Sequence, residues 1–375
     1  MLARLFLLII ALVFIVGIFD IPFWPSTKWG FIDKEGKLVI PATFDRVRGI
    51  GEGSLSYTYL TQKSFHEGLA AIAMGKQWGF ADKKGNIVID PQYDTVGDFS
   101  EGLACVQSHD KCGFVDHSGN LIIQKDFNPH WLHCGFMYFQ DGLCAVELAN
   151  GSMGYINKSG AYAVTPSFYC AWPFSEGRAI VFPAKFNHNT LIDTRGMTVF
   201  EPENSELSGR CSEGLLRVSR RNLHDQSAQE NWYVDRNGKK VTQEFVGAAQ
   251  DFSEGLAAIT LSPDKFGYID KKGKVIIQPA FDKAGDFHEG LAAVGIEGKI
   301  EKHHYKWGYI DKTGAWIIPP KYDAAEAFSE GRAAVRIDQS YSSKQGYIDK
   351  TGNMVIPAKY ALAFPFSEGL AAVKI

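Results

Sequence analysis

The chain has 375 residues, with 39 basic and 42 acidic side chains and a formal net charge of −3. Carrying neither a basic stripe nor an acidic tail, it has no electrostatic footprint for nucleic acid, which excludes that class of partner. Hydrophobic residues make up 45% of the sequence, ample for a packed core, and the length would hold two or three ordinary domains unless repetition ties it into one array.

The first element is an apolar run from Leu5 to Phe19, preceded by Arg4 and followed by Asp20. A membrane-spanning helix wants about 20 apolar residues, and Met1 to Ala3 with Ile21 to Trp24 extend the run through the interfacial zone. A cleaved secretory signal needs small residues three apart, and Val16 to Asp20 offers one, Gly17. The reading is an N-terminal anchor over residues 1–24, with a cleaved signal and a buried structural segment as alternatives. Arg4 and the amino terminus favour a cytoplasmic start, which places the rest outside the cytoplasmic membrane, and Pro22 and Pro25 stop the helix.

From Lys28 onward two motifs alternate. Trp-Gly-[Phe/Tyr]-[Ile/Ala]-Asp-Lys-x-Gly occurs at Trp29–Gly36, Trp78–Gly85 and Trp307–Gly314, and decayed copies begin at Cys112, Met153, Thr190, Trp232, Phe266 and Gln345. Between them, [Ser/His/Gln]-[Glu/Asp]-Gly, usually led by Phe, returns nine times from Phe65–Gly68 to Phe366–Gly369. A period of roughly 34 to 42 residues marks a tandem array whose units bury their apolar faces on their neighbours. Residues 28–375 therefore form one all-β repeat domain. The leading pairs of the full motif copies, Trp29 with Gly30, Trp78 with Gly79 and Trp307 with Gly308, are read as structural residues of the repeat.

In the copy from Phe287 to Asp323, strands are predicted at Gly290–Val294, Trp307–Asp311 and Ala315–Pro319, with a short fourth over Pro320–Asp323. Asp311 and Gly314 suit a type I turn, in which the carboxylate accepts backbone N–H groups and Gly takes the left-handed conformation. The row of acidic residues before Gly (Glu101-Gly102, Glu254-Gly255 and Glu330-Gly331 among them) invites a catalytic or cation-binding reading. Its regularity argues for satisfying backbone groups instead, since a site needs a few converging groups rather than one per repeat.

Nine antiparallel meanders of three to four strands are expected. The final segment Gly369–Ile375 lacks a partner and can pair with Trp29–Asp33, closing a propeller-like array and removing both free edges. An open β-solenoid or superhelix is the alternative.

The third copy holds Cys105 and Cys112 where the second has Ala71 and Trp78. A turn at Met74-Gly75 would set those two opposite one another, so a cross-strand disulfide between Cys105 and Cys112 is expected, fitting an oxidising compartment. Nearby His109, His117, His130, His133 and Cys134 include a metal-like spacing, but no second Cys or His pair stands at the distance a zinc knuckle needs. No metal or cofactor is expected, and no short catalytic motif is present.

The core Lys28-Trp-Gly-Phe-Ile-Asp-Lys-x-Gly36, followed downstream by Phe-Ser-Glu-Gly-Leu-Ala-Ala-Val as at Phe366–Val373, resembles the bacterial WG-repeat (KWG-repeat) proteins over about residues 28 to 375. The resemblance implies repeat-built binding or scaffold proteins, often joined to export signals or other domains, with no shared catalytic residues. Copies at Thr190 and Trp232 depart furthest, lacking the motif's Gly.

Variation concentrates in the loops Ser219–Asn231, Gly295–Lys306 and Gln339–Lys344, which should share one rim and present Arg220, Arg221, His224, Lys302, His303, His304 and Tyr341. The stretch Gly49–Ser64, with Tyr57 and Tyr59, widens another edge. Expected is a non-catalytic, membrane-tethered extracytoplasmic scaffold that binds another envelope or exported protein. A surface polysaccharide or peptidoglycan binder is the alternative, disfavoured by rim loops without Trp, and a propeller-type hydrolase is a minor one.

Overall fold

The computed structural model describes residues 27–48, 63–109, 111–125, 127–128, 137–184, 188–221, 229–262, 265–298, 304–337 and 344–375. The N-terminal segment, Tyr57, Tyr59, His130, His133, Cys134, His224, Lys302, His303 and Tyr341 lie outside the described residues. Every described strand pairs antiparallel, and the strands gather into eight sheets.

The copy starting at Lys283 shows how one unit is built. Strands Lys283–His288, Leu291–Glu297, Tyr305–Asp311 and Trp316–Tyr322 hydrogen-bond in that order. The last of these runs through both segments expected as separate third and fourth strands. Asp311 Oδ1 accepts the backbone N–H groups of Thr313 and Ala315, and Gly314 sits at φ +87.

The Trp-Gly motif owes its glycine to the outer strand. A Cβ on Gly308 would stand 2.4 Å from the carbonyl oxygen of Ile318, one on Gly30 2.7 Å from that of Ile40, and one on Gly79 2.3 Å from that of Ile89. All three glycines are buried, and each admits the backbone of the neighbouring strand where a side chain would block it. At that point the outer strand bulges, with Trp307 opposite Tyr322 but Tyr309 opposite Ile318, as Trp29 faces Phe44 but Phe31 faces Ile40, and Trp78 faces Tyr93 but Phe80 faces Ile89. Gly308→Ala is therefore expected to cost about 1–3 kcal/mol through forced backbone displacement. Thermal unfolding checks this, and an unchanged midpoint would contradict the close approach.

The two departing copies follow from the same contact. Val218 lies opposite Trp232 and Val181 opposite Thr190, so these residues hold the glycine's register rather than the tryptophan's. With a side chain there the outer strand cannot close in. It shrinks to Thr198–Phe200 in one copy and Phe245–Val246 in the other.

The array is closed. Strand Trp29–Ile32 pairs antiparallel with Ala371–Lys374 in a sheet made from both ends of the repeat domain. The open superhelix is thereby set aside, and the fold is a β-propeller. The expectation of nine separate meanders is corrected to eight sheets, because the ten-residue strand Tyr162–Ala171 serves two consecutive copies and welds them into one six-stranded sheet. After four of the other outer strands an Asp follows the aromatic residue where the chain breaks, at Asp45, Asp94, Asp282 and Asp323. Here the break is missing and Tyr169 follows Phe168 directly.

Two sets of contacts tie each unit to the next. The aromatic ring two residues after the motif's first position packs edge-on against the Phe of the following acidic motif. This occurs in eight copies, from Phe31–Phe65 to Tyr347–Phe366, at centroid distances of 4.7–5.1 Å. In the remaining copy both members change together, to Leu191 and Cys211. The acidic residues form the second set. Each stands in a two-residue turn with φ of 51 to 54, a left-handed conformation costing a non-glycine residue about 1–2 kcal/mol. Each then accepts the backbone N–H of the glycine in the next motif: Glu67 from Gly102, Glu101 from Gly142, Asp141 from Gly177, and so on until Glu368 accepts from Gly68. Asp141 to Gly177 lies within the six-stranded sheet, and the others link the eight sheets around the ring.

Candidate binding surface

The same carboxylates meet nitrogen-bearing side chains from the Asp-Lys-x-Gly turn of the Trp-Gly motif and its decayed copies. Lys34 reaches Glu330 at 3.0 Å, Lys83 Glu368 at 2.8 Å, Lys312 Glu254 at 3.1 Å, and His117, Lys158, Lys271 and Lys350 repeat the pattern. These groups are spread along the ring and held by fixed partners, so they act as locks between units. Burial pushes the carboxyls of Glu254, Glu330 and Glu368 up, but the lysine hydrogen bond and the glycine N–H outweigh it, leaving each pKa lowered. A depressed folded-state pKa contributes stability that is present above the unfolded value, about 4.3 for Glu, and lost as pH falls through the folded value. The unfolding midpoint is accordingly expected to hold steady near neutrality and to fall progressively below about pH 4.5. A midpoint unchanged down to about pH 3 would rule out the locks as a source of stability.

Of the rim residues read from sequence, Arg220 and His304 are described with their side chains, and Arg221 is placed on strand Leu215–Arg221. Arg220 is engaged internally. Its guanidinium bonds Glu230 at 2.6 Å and Glu244 at 3.4 Å and lies 5.5 Å from the Trp232 ring centroid, which Lys240 also covers. His304 is exposed, and its carbonyl accepts the Gly298 N–H at 2.7 Å. Equivalent hairpins are braced by the aspartates that lead into the same sheet: Asp45 accepts from Gly75, Asp94 from His109, and Asp282 from Glu297.

Sequence reading missed a mixed-charge cluster formed by residues directly preceding the acidic motifs. Arg210 exerts its field on Tyr138, Asp251 and Asp286, which belong to different units. Desolvation raises the carboxyl pKa of both Asp251 and Asp286, against Arg217 and Arg210 at the first and His288 and Arg210 at the second. The available signal was the variable residue before each Phe-x-Glu-Gly. Among the described residues no group of three His, Cys, Asp or Glu is arranged to hold a metal ion.

The cysteine expectation is corrected by the register. Ala73 pairs with Trp78 and Ala71 with Phe80, because the turn is centred on Gly75-Lys76. In the third sheet Cys112 accordingly faces Gln107 and Cys105 faces Phe114, with no disulfide between them. Diagonal neighbours lie about 7–8 Å apart, against about 3.8 Å between the Cβ atoms of a disulfide. Cys211 accompanies Gly214 on the Glu176 carboxylate, and burial together with that carboxylate pushes its thiol up to about 12. Beside the third sheet lies a cavity of about 460 Å³ lined by Tyr93, Val106, His109, Lys111, Cys112 and Leu121 among others.

A closed ring of antiparallel sheets, locked unit to unit and without a helix among the described residues, defines a repeat-built β-propeller. The WG containing repeat family matches residues 29–58, 78–112, 153–182, 266–299, 307–341 and 346–375, more than half of the chain, and the protein belongs to that family. No curated protein matches the sequence. Among solved structures, a eukaryotic initiation factor is similar at 12% identity and TM-score 0.55, covering 88% of this chain and 95% of that one. BamB from Moraxella catarrhalis gives 10% identity and TM-score 0.41 over 82% of this chain and 94% of its own. A puromycin hydrolase gives 10% and 0.36 over 72% and 54%. At such identities the first likeness speaks for the fold alone, and the other two carry no argument. No helix among the described residues is long and apolar enough to cross a membrane.

Proposed function

We propose that the protein is a non-catalytic binding scaffold, tethered to the membrane by its N-terminal apolar segment, whose propeller engages another envelope or exported protein outside the cytoplasmic membrane. The observation that carries this reading is how its chemistry-bearing side chains are used. The recurring carboxylates and lysines, the residues an enzyme or cation ladder would need free, are committed to holding successive units together. What this builds is a rigid platform whose variable loops, 219–231, 295–306 and 339–344, emerge from equivalent hairpins.

Arg220 belongs to the support of the first loop, since it is already paired with Glu230 and stacked on Trp232. Recognition on this rim therefore falls to the loop tips. Crosslinking the anchored protein in its native cells is expected to capture a partner protein from the wild type and to lose it when loops 219–231 and 295–306 are shortened. Retention by the shortened variant would remove the rim from the proposal, and enrichment of glycan instead would favour a polysaccharide-binding module.

A further inference from the structure

The outer strand of each sheet is an edge with unpaired backbone groups, and natural proteins protect such edges with proline, bulges or charge. In the longer edge strands the protection is regular. Strands Leu38–Phe44, Ile87–Tyr93, Val275–Phe281, Trp316–Tyr322 and Met354–Tyr360 carry Pro41, Pro91, Pro279, Pro319 with Pro320, and Pro357. All five also bulge opposite the motif glycine.

The third sheet departs on both counts. Its edge strand Leu121–Lys125 has Gln124 and Lys125 where the others have proline. Its ladder runs unbulged opposite the glycine, Cys112 opposite Lys125, Gly113 opposite Gln124 and Phe114 opposite Ile123, and shifts register only beyond it, between Phe114 and Val115. It also presents adjacent aliphatic side chains, Leu121 at 51% and Ile122 at 50% exposure. The 460 Å³ cavity lies beside it, lined by Leu121 and Gln124 from the edge and by His109 and Lys111, with no carboxylate among its described lining residues.

We infer that Leu121–Lys125 is a docking edge that takes an extended segment of a partner protein as an added β-strand, one apolar side chain of the segment entering the cavity beside Leu121 and a carboxylate meeting Lys111. An edge strand with no strand partner on its outer side among the described residues is satisfied by another backbone strand and by little else, which identifies the occupant as polypeptide. Lys111 gives the cavity wall a positive charge. This deepens the protein-binding reading and rests on it, while using a surface distinct from the variable loops.

The test uses the full chain and a fluorescein-labelled peptide of about ten residues, alternating Val and Thr and bearing Asp near each end. Fluorescence anisotropy is compared for the wild type, Ile122→Lys and Lys125→Pro, with hydrogen exchange read over residues 121–125. Ile122 is half exposed, so its substitution leaves the fold intact and guards against failure of the proline variant to fold. The expected result is binding to the wild type, weakening by about tenfold or more in both variants, no binding of the same peptide broken by a central proline, and slowed exchange in the edge strand. Equal binding to all three proteins without protection would overturn the proposal. So would sedimentation showing that this edge pairs with a second copy of the chain and that Ile122→Lys abolishes the pairing. The variant with shortened loops is expected to keep the peptide, so a failure of the loop reading and a failure of the edge reading are told apart.

Discussion

A protein ending at Leu370 is expected to lose cooperative folding. The strand it lacks supplies Ala371, Ala372 and Val373, all fully buried, and pairs on one side with Trp29–Ile32 and on the other with Leu362–Ala363. Without it, the closing sheet loses its middle. Trp29 and Phe31 then lose Ala372 from the core they share with Leu370 and Phe364. The cost, about 5 kcal/mol or more, rivals the whole stability of an ordinary domain. Near-ultraviolet circular dichroism during heating is the measurement. A sharp transition within a few degrees of the intact protein would show that the ring does not depend on closure. Ala372→Asp, which buries an unpaired charge at the same place, tests the point without shortening the chain.

The second large effect is expected at Tyr309. Its ring packs edge-on against Phe328 at 4.8 Å, and its hydroxyl donates to the carbonyl of Glu326 at 2.7 Å, so one side chain fastens two units by packing and by hydrogen bonding. Tyr155, Tyr268 and Tyr347 repeat the arrangement. Tyr309→Ala should cost about 3–5 kcal/mol, as a large buried aromatic removed from a well-packed site. Tyr309→Phe should cost only about 1 kcal/mol, the hydrogen bond alone. Urea denaturation separates the two. A phenylalanine variant as unstable as the alanine one would assign the effect to the hydroxyl, and two near-neutral variants would dismiss the contact.

Much of this architecture was legible because its signals are local and repeated. Asp311 and Gly314 announce a turn by residue type, and the turn forms as read. Gly30, Gly79 and Gly308 stood out as structural by recurrence, though the close approach of the outer strand that demands them is a matter of three dimensions. Closure was legible from an unpaired strand, Gly369–Ile375, that found its complement at Trp29. What escaped was long-range register. Placing the turn at Met74-Gly75 instead of Gly75-Lys76 moves every pair by two residues, and on that slip the disulfide rested. The joining of two units through Tyr162–Ala171 also escaped, because it depends on a chain break that fails to occur. The charged cluster of Arg210, Asp251 and Asp286 was invisible for a further reason. Its members lie far apart in the chain and share no motif beyond preceding one, and only ring geometry brings them together.

At the seam of the closing sheet, the N–H of Ile375 bonds the carbonyl of Lys28 at 3.1 Å. Entry to and exit from the propeller therefore occupy one spot on its circumference. Whatever is attached before Lys28 or after Ile375 leaves from the same place, so a load on both connections pulls at a single hinge point and leaves the opposite arc of the ring free to turn. The seam also makes the start of the ring arbitrary. With residues 28 and 375 joined by a short linker, the chain could be reopened between any two sheets and still wind into the same circle.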